Sequence, residues 1–407
     1  MVLNDLVKRK ITIIDSMMGT GKTTYAINKM QKSSNYNYVY ITPYLSEIQR
    51  IKTSITNKKF YEPVNIGNGK LDSLHDLLLK NKNIASTHAL FKTANEDTKA
   101  LLNANNYILI LDEVMDVIEQ VPLKKDDLKL LLENELISID YDNNNLVKWN
   151  PNKIEVSTQY DRIKQMILNE NVYMVNNTLL MWTFPVEIFK AFKKVYVLTY
   201  LFKGQIQRYY YDLYKLDYEY KSIHKVDNDY VLGEYIEKYD MSSIRNRINI
   251  LDDKINTIGD NEYALSSSWY DKDKNKLLIT QLKNNTLNYF VHKIKGKSKD
   301  NMWTTYKKQK SKLSGKGYSR GFVSLTARAT NDYADKYNLA YLSNVFLNPI
   351  VKQFFVDRGV QVEENVYALS ELVQWIYRSR IRKGNDESIN IYIPSSRMRR
   401  LLENWLN

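Results

Sequence analysis

One stretch near the start constrains the fold more than any other. Residues 10–15 (KITIID) run directly into Ser16-Met17-Met18-Gly19-Thr20-Gly21-Lys22-Thr23-Thr24. The first run is β-branched and apolar, which predicts a short buried strand. From Thr24 onward the apolar spacing is helical. A strand that breaks into a Gly-rich loop and then a helix is the context a phosphate-binding loop requires. Gly19 and Gly21 let backbone N–H groups close on an anion without a Cβ in the way. The helix N-terminus adds a field that favours negative charge. In such a loop Lys22 reaches the β- and γ-phosphates of a nucleotide, and the hydroxyl of Thr23 ligates Mg²⁺. Ser16 stands where the usual pattern has its first glycine.

A loop of this kind needs a carboxylate near the metal, at the end of a neighbouring strand. Leu109-Ile110-Leu111-Asp112-Glu113 supplies an apolar run that ends in two acids. Asp112 suits the metal. Glu113 suits the base that orients and deprotonates an attacking water. Alone, the run is explained by an exposed strand end; paired with the loop, it points to nucleotide hydrolysis.

Strand-like runs recur at residues 38–42, 84–86, 107–111, 195–199, 263–266, 322–325, 339–342 and 389–393, with helix-like stretches between them. This alternation predicts α/β layers around parallel sheets. At 407 residues the chain suits two domains. Residues 123–178 break the rhythm with charge and an Asn-rich turn, and read as an insertion in the first domain. The domain boundary is expected near residue 204, which gives domains 1–204 and 205–407. Residues 209–220 (YYYDLYKLDYEY) would open the second as a half-exposed strand, with a base-stacking platform as the alternative.

Several chemistries are excluded. There is no cysteine, hence no disulfide, no cysteine nucleophile and no Cys-based metal site. The four histidines, His75, His88, His224 and His292, lack paired metal-ligand spacing. No apolar run is long enough to span a membrane, and residues 1–14 are too charged and short for a signal peptide. A cytoplasmic, reducing compartment is the expectation. Lys plus Arg number 59 against 46 Asp plus Glu, a net charge of +13. That excess suits a polyanion, although A+T-biased coding also enriches lysine. Six of the fifteen arginines fall at or after Arg378, namely Arg378, Arg380, Arg382, Arg397, Arg399 and Arg400, and coding bias does not cluster arginine.

With these residues in place, the chain resembles the superfamily 2 DExD/H-type helicases. Within them it is most similar to phage-type replication helicases and to the herpesvirus origin-binding helicase group. Residues 42–50 resemble motif Ia and residues 85–90 the next backbone-contacting motif. Residues 112–115 stand for motif II and 198–200 for motif III. Ala329-Thr330-Asn331 followed by Leu339-Ala340-Tyr341 resembles motif V. Gln374-Trp375-Ile376-Tyr377-Arg378-Ser379-Arg380-Ile381-Arg382 resembles motif VI, Q-x-x-G-R-x-G-R, with Tyr377 in place of its glycine and Ile381 in place of its last arginine. The resemblance implies two tandem RecA-like domains with the insertion in the first. It implies ATP with Mg²⁺ between them, and nucleic acid across both, DNA in preference to RNA. A phage-encoded protein would work in the host cytoplasm.

Motif VI arginines project from the second domain onto the γ-phosphate. Arg378 is the expected first contact, with Arg380 and Arg382 both open for the second. A helix running unbroken through Arg382 would put Arg378 and Arg382 on one face. A helix ending near Ser379 would let Arg380 swing in. Two rival readings remain. A P-loop small-molecule kinase should finish in about half this length. A nucleic-acid-binding protein with a regulatory ATPase would not unwind.

Overall fold

The computed structural model describes residues 11–33, 35–65, 67, 69–326 and 332–407. Strands β1 (Ile11–Asp15), β2 (Asn37–Thr42), β3 (Phe60–Tyr61), β4 (Asn83–Thr87) and β5 (Tyr107–Asp112) begin a first sheet. The chain then leaves it. Strands β6 (Ile118–Gln120), β7 (Ile137–Asp140), β8 (Leu146–Trp149), β9 (Val172–Val175) and β10 (Leu179–Thr183) make a separate antiparallel sheet, in the order β6-β10-β9-β8-β7. With β11 (Lys194–Thr199), β12 (Tyr218–Val226) and β13 (Asp229–Gly233) it returns, completing the first sheet as β13-β12-β1-β11-β5-β2-β4-β3. Only β13 runs antiparallel to its neighbour. A second, fully parallel sheet follows: β14 (Ile248–Ile250), β15 (Asn301–Thr304), β16 (Asn338–Tyr341) and β17 (Ile389–Tyr392), ordered β14-β17-β16-β15.

The unbroken apolar runs explain the first sheet. Side chains alternate across a strand, and here both faces are buried. Ile13, Val39, Leu109 and Val197 pack into one core, while Ile14, Tyr40, Ile110 and Leu198 pack into another on the opposite face. The two halves of the chain interlock. Leu347, Phe354 and Phe355 from the second half join the first core, and Tyr200 from the first half joins the core of the second sheet.

Four expectations are corrected. First, strands β12 and β13 belong to the first sheet, with Ile11 opposite Tyr218, so the change of sheet falls between Gly233 and Ile248 rather than at residue 204. Second, residues 209–220 do not open with a strand. They enter as the helix Ile206–Leu213, with Tyr209, Tyr210 and Tyr211 buried. Each hydroxyl has a partner: Tyr209 and Tyr210 donate to the carbonyls of Gly204 and Phe184, and Gln207 donates to Tyr211. Rings so enclosed are no stacking platform. Third, residues 263–266 are turns leading into the helix Ser267–Tyr270, whose first turn Ser266 caps. Fourth, of residues 322–325 only Phe322 bridges to a strand residue, Trp303. The insertion exists, bounded by β6 and β10, and so is a little wider than 123–178.

Candidate active site

The start of the phosphate-loop segment is fixed by its neighbours. The Asp15 carboxylate at the end of β1 accepts hydrogen bonds from the N–H groups of Leu201 (2.8 Å) and Phe202 (3.0 Å). Ser16 is fully buried, and its Oγ accepts the N–H of Ile223 at 2.8 Å. That bond gives a reason for serine at the position where glycine was expected. Gly19 (φ 81°) and Gly21 (φ 90°) both adopt the left-handed region that a side chain disfavours. Gly21 caps the helix Lys22–Lys32. The Lys22 ammonium turns back to donate to the carbonyls of Ser16 and Met17. Burial lowers its pKa, against the raising effect of Glu113, Asp15 and Asp112.

Asp112 ends β5, and the Tyr40 hydroxyl on the adjacent strand β2 donates to its Oδ2 at 2.5 Å. Burial pushes the Asp112 carboxyl up to about 6, and the Tyr40 bond offsets only part of that. Glu113 follows with φ 76°, its N–H bonded to the Leu198 carbonyl at 3.0 Å. A left-handed glutamate is a strained conformation, held here between β5 and β11.

The second half reaches the same place. The helix Glu364–Ile376 ends just past Gln374, and Arg378 follows, 4% exposed, donating to the Ser324 carbonyl at 3.2 Å and to that of Leu325 at 3.3 Å. A cleft of about 330 Å³ lies between the halves. It is lined by Met18, Gly19, Gly21, Lys22, Thr23 and Thr24 of the loop, by Asp112 and Glu113, and by Gln374, Tyr377, Arg378 and Arg382.

Most of the residues singled out in the sequence therefore meet in one cleft. Arg380 does not. Its guanidinium stacks on Tyr337, 4.0 Å from the ring centroid, and pairs with Glu387 at 3.6 Å. The helix stops at Ile376, earlier than either expectation, and a separate 3-10 turn, Arg380–Lys383, brings Arg382 to the cleft. Ser16, Met17 and Thr20 are not among the lining residues. The Met17 carbonyl accepts from Lys22 and from the Thr20 hydroxyl, and the side chains of Met17 and Met18 pack against the core of the second sheet. Of the C-terminal arginines, Arg397 is 7% exposed and spent on Asn344, Val345 and Asn365, so it supports the fold instead of facing solvent. Ala329, Thr330 and Asn331 lie outside the described residues.

The cleft also holds four residues of the stretch resembling motif Ia, for which no place beside the nucleotide was expected, and Tyr230, which the sequence did not mark. Glu47 and Arg50, an ion pair at 3.0 Å on the helix Leu45–Ser54, line it together with Thr42 and Pro43. So does Tyr230 of β13, whose ring lies against Gly21. Tyr40 and Asp15 act from behind. A buried tyrosine needs a partner for its hydroxyl, which was the one available signal for Tyr40.

Asp15 carries a test of these electrostatics. Burial raises its carboxyl from 3.8 to about 6, so the folded chain keeps this proton to a higher pH than the unfolded chain. Between roughly pH 4 and pH 6 this group's contribution to stability should fall as pH rises, by about 3 kcal/mol. Urea unfolding of wild type and Asp15→Asn at both ends of that window reads the difference. Wild type should lose more stability than the variant, and parallel curves would contradict the assignment.

Residues 242–406 match the family described as the YonV C-terminal Rossmann-like domain, and residues 118–182 the one described as the YonV middle domain. The second match falls on the inserted sheet. Across 411 aligned residues the chain is 45% identical to the SPbeta prophage-derived uncharacterized protein YonV of Bacillus subtilis (strain 168), covering 98% of each. Among solved structures, an apo XPD structure matches with a TM-score of 0.51 at 12% identity, over 98% of this chain and 96% of that one. S. tokodaii Xpd4 matches at 0.46 and 11%, over 97% and 94%. The likeness to apo XPD is one of fold, that of helicases with tandem RecA-like domains. By its identity over nearly its whole length to a curated relative, the chain belongs to the YonV family.

Proposed function

We propose that this chain is a nucleic-acid-dependent ATPase of the helicase or translocase type, hydrolysing ATP between its two halves. The observation that carries this reading is a single cleft holding Lys22, Thr23, Asp112 and Glu113 from one half and Gln374, Arg378 and Arg382 from the other. A small-molecule kinase has no need of the second set, which weighs against that rival. The fold likeness to a helicase structure points the same way.

Mg²⁺ fits the donors present. Thr23 and Asp112 offer hard oxygens, and this metal is commonly held by one or two such groups plus phosphate oxygens. When bound it would neutralise charge on the β- and γ-phosphates. Lys22 would release the Ser16 and Met17 carbonyls and pair with those phosphates. A Glu113 carboxylate oxygen would accept the proton of the attacking water. Arg378 lies against the Ser324 and Leu325 carbonyls at the cleft wall, and a shift toward the γ-phosphate would let it stabilise transition-state charge as the halves close. Arg382 is the second candidate, supported by its place in the cleft lining, whereas Arg380 contacts Tyr337 and Glu387.

DNA is the preferred polymer, because the curated relative is prophage-derived. A bacterial cytoplasm belongs to the same reading; among the described residues no helix is long and apolar enough to cross a membrane. Binding to single-stranded DNA should weaken more than ~10-fold between 50 and 200 mM salt, through release of phosphate counterions. Fluorescence anisotropy at the two salt concentrations checks this, and a flat response would remove nucleic acid from the account.

A further inference from the structure

We propose that Tyr230 is the aromatic wall on which the nucleobase stacks, making the cleft selective for nucleoside triphosphates over bare polyphosphate with little choice among bases. This rests on the nucleotide reading above and adds where the base goes.

The direction of the triphosphate follows from the sheet order. The γ-phosphate belongs where Lys22, Glu113 and Arg378 converge. Asp112 ends β5 and Glu113 follows it, and β5 lies beyond β11 on one side of β1. The α-phosphate and the base must then extend toward the other side of β1, where β12 and β13 stand. Because β12 runs parallel to β1, its hairpin with β13 turns at the phosphate end of the sheet. Tyr230 is the second residue of β13, and its ring lines the cleft alongside Thr23 and Thr24. A Cβ added to Gly21 would lie 2.3 Å from two of the ring carbons, so the ring rests directly on the loop that would hold the phosphates.

The hairpin is held in that position. Asp229 accepts from Asn28 at 3.1 Å and pairs with Lys32 at 3.1 Å, both on the helix Lys22–Lys32. Asn28, Lys32 and Asp229 are thereby engaged with one another. An aromatic face reads the π surface that every base carries. It gains nothing from a polyphosphate that has no base.

The test compares wild type, Tyr230→Ala and Tyr230→Phe in steady-state hydrolysis of ATP, GTP, CTP and UTP, with inorganic tripolyphosphate as a competitive inhibitor. Tyr230→Ala should raise KM for all four nucleotides by ~10-fold with kcat little changed, and Tyr230→Phe should restore it. The inhibition constant of tripolyphosphate should be the same in all three proteins. A KM for Tyr230→Ala within about twofold of wild type would overturn the stacking role. So would an equal loss of tripolyphosphate affinity, because the ring would then merely prop the loop. Wild-type protein that binds neither ATP nor tripolyphosphate would overturn the cleft reading and this inference with it.

Discussion

Lys22→Ala is expected to lower ATP hydrolysis by ~10³-fold or more, since it removes a positioned charge from the developing phosphate charge. Its fold should survive. The residue makes two hydrogen bonds to loop carbonyls, each worth about 1 kcal/mol net, and burial already disfavours its charge. Thermal melting should therefore stay near wild type while turnover disappears. A folded Lys22→Ala protein that hydrolyses ATP at the wild-type rate would remove the loop from the catalytic site.

Glu113→Gln should separate binding from chemistry. Asp112 keeps its place on β5 and its bond to Tyr40, so the metal carboxylate is intact. Glutamine has the same shape at the left-handed position and cannot take a proton from water. Hydrolysis should fall by ~10²- to 10⁴-fold while the affinity for Mg²⁺–ATP is retained. Calorimetric binding beside single-turnover hydrolysis reads both quantities. Asp112→Asn should instead weaken metal-dependent binding. Normal turnover by Glu113→Gln would assign the proton to another group.

What could be read from the sequence was local. The strand, loop and helix around Gly19–Gly21–Lys22 are contiguous, so period and composition specify them together. Asp112 and Glu113 follow the same logic at the end of an apolar run. The arginines did not yield to it. Whether Arg380 or Arg382 faces the cleft depends on Tyr337 and Glu387, which hold Arg380 and are not its chain neighbours. It also depends on the helix ending at Ile376, which helical periodicity does not reveal. The tyrosines of residues 209–220 alternate in part with polar residues and suggested a strand, yet for Tyr209–Tyr211 helical packing against Phe189, Phe202 and Phe355 prevailed. The domain limit was misplaced because the pairing of Ile11 with Tyr218 joins residues on either side of an entire inserted sheet. Tyr230 reaches the phosphate loop by the same kind of long-range return, with no local pattern to mark it.

The most direct test of the account is the rate of ATP hydrolysis by wild-type protein with and without saturating single-stranded DNA. Closure of the two halves should bring Arg378 onto the nucleotide only when the strand is bound. The account predicts slow turnover alone and stimulation by ~10-fold or more with DNA. Equal rates with and without nucleic acid, of either kind, would contradict it.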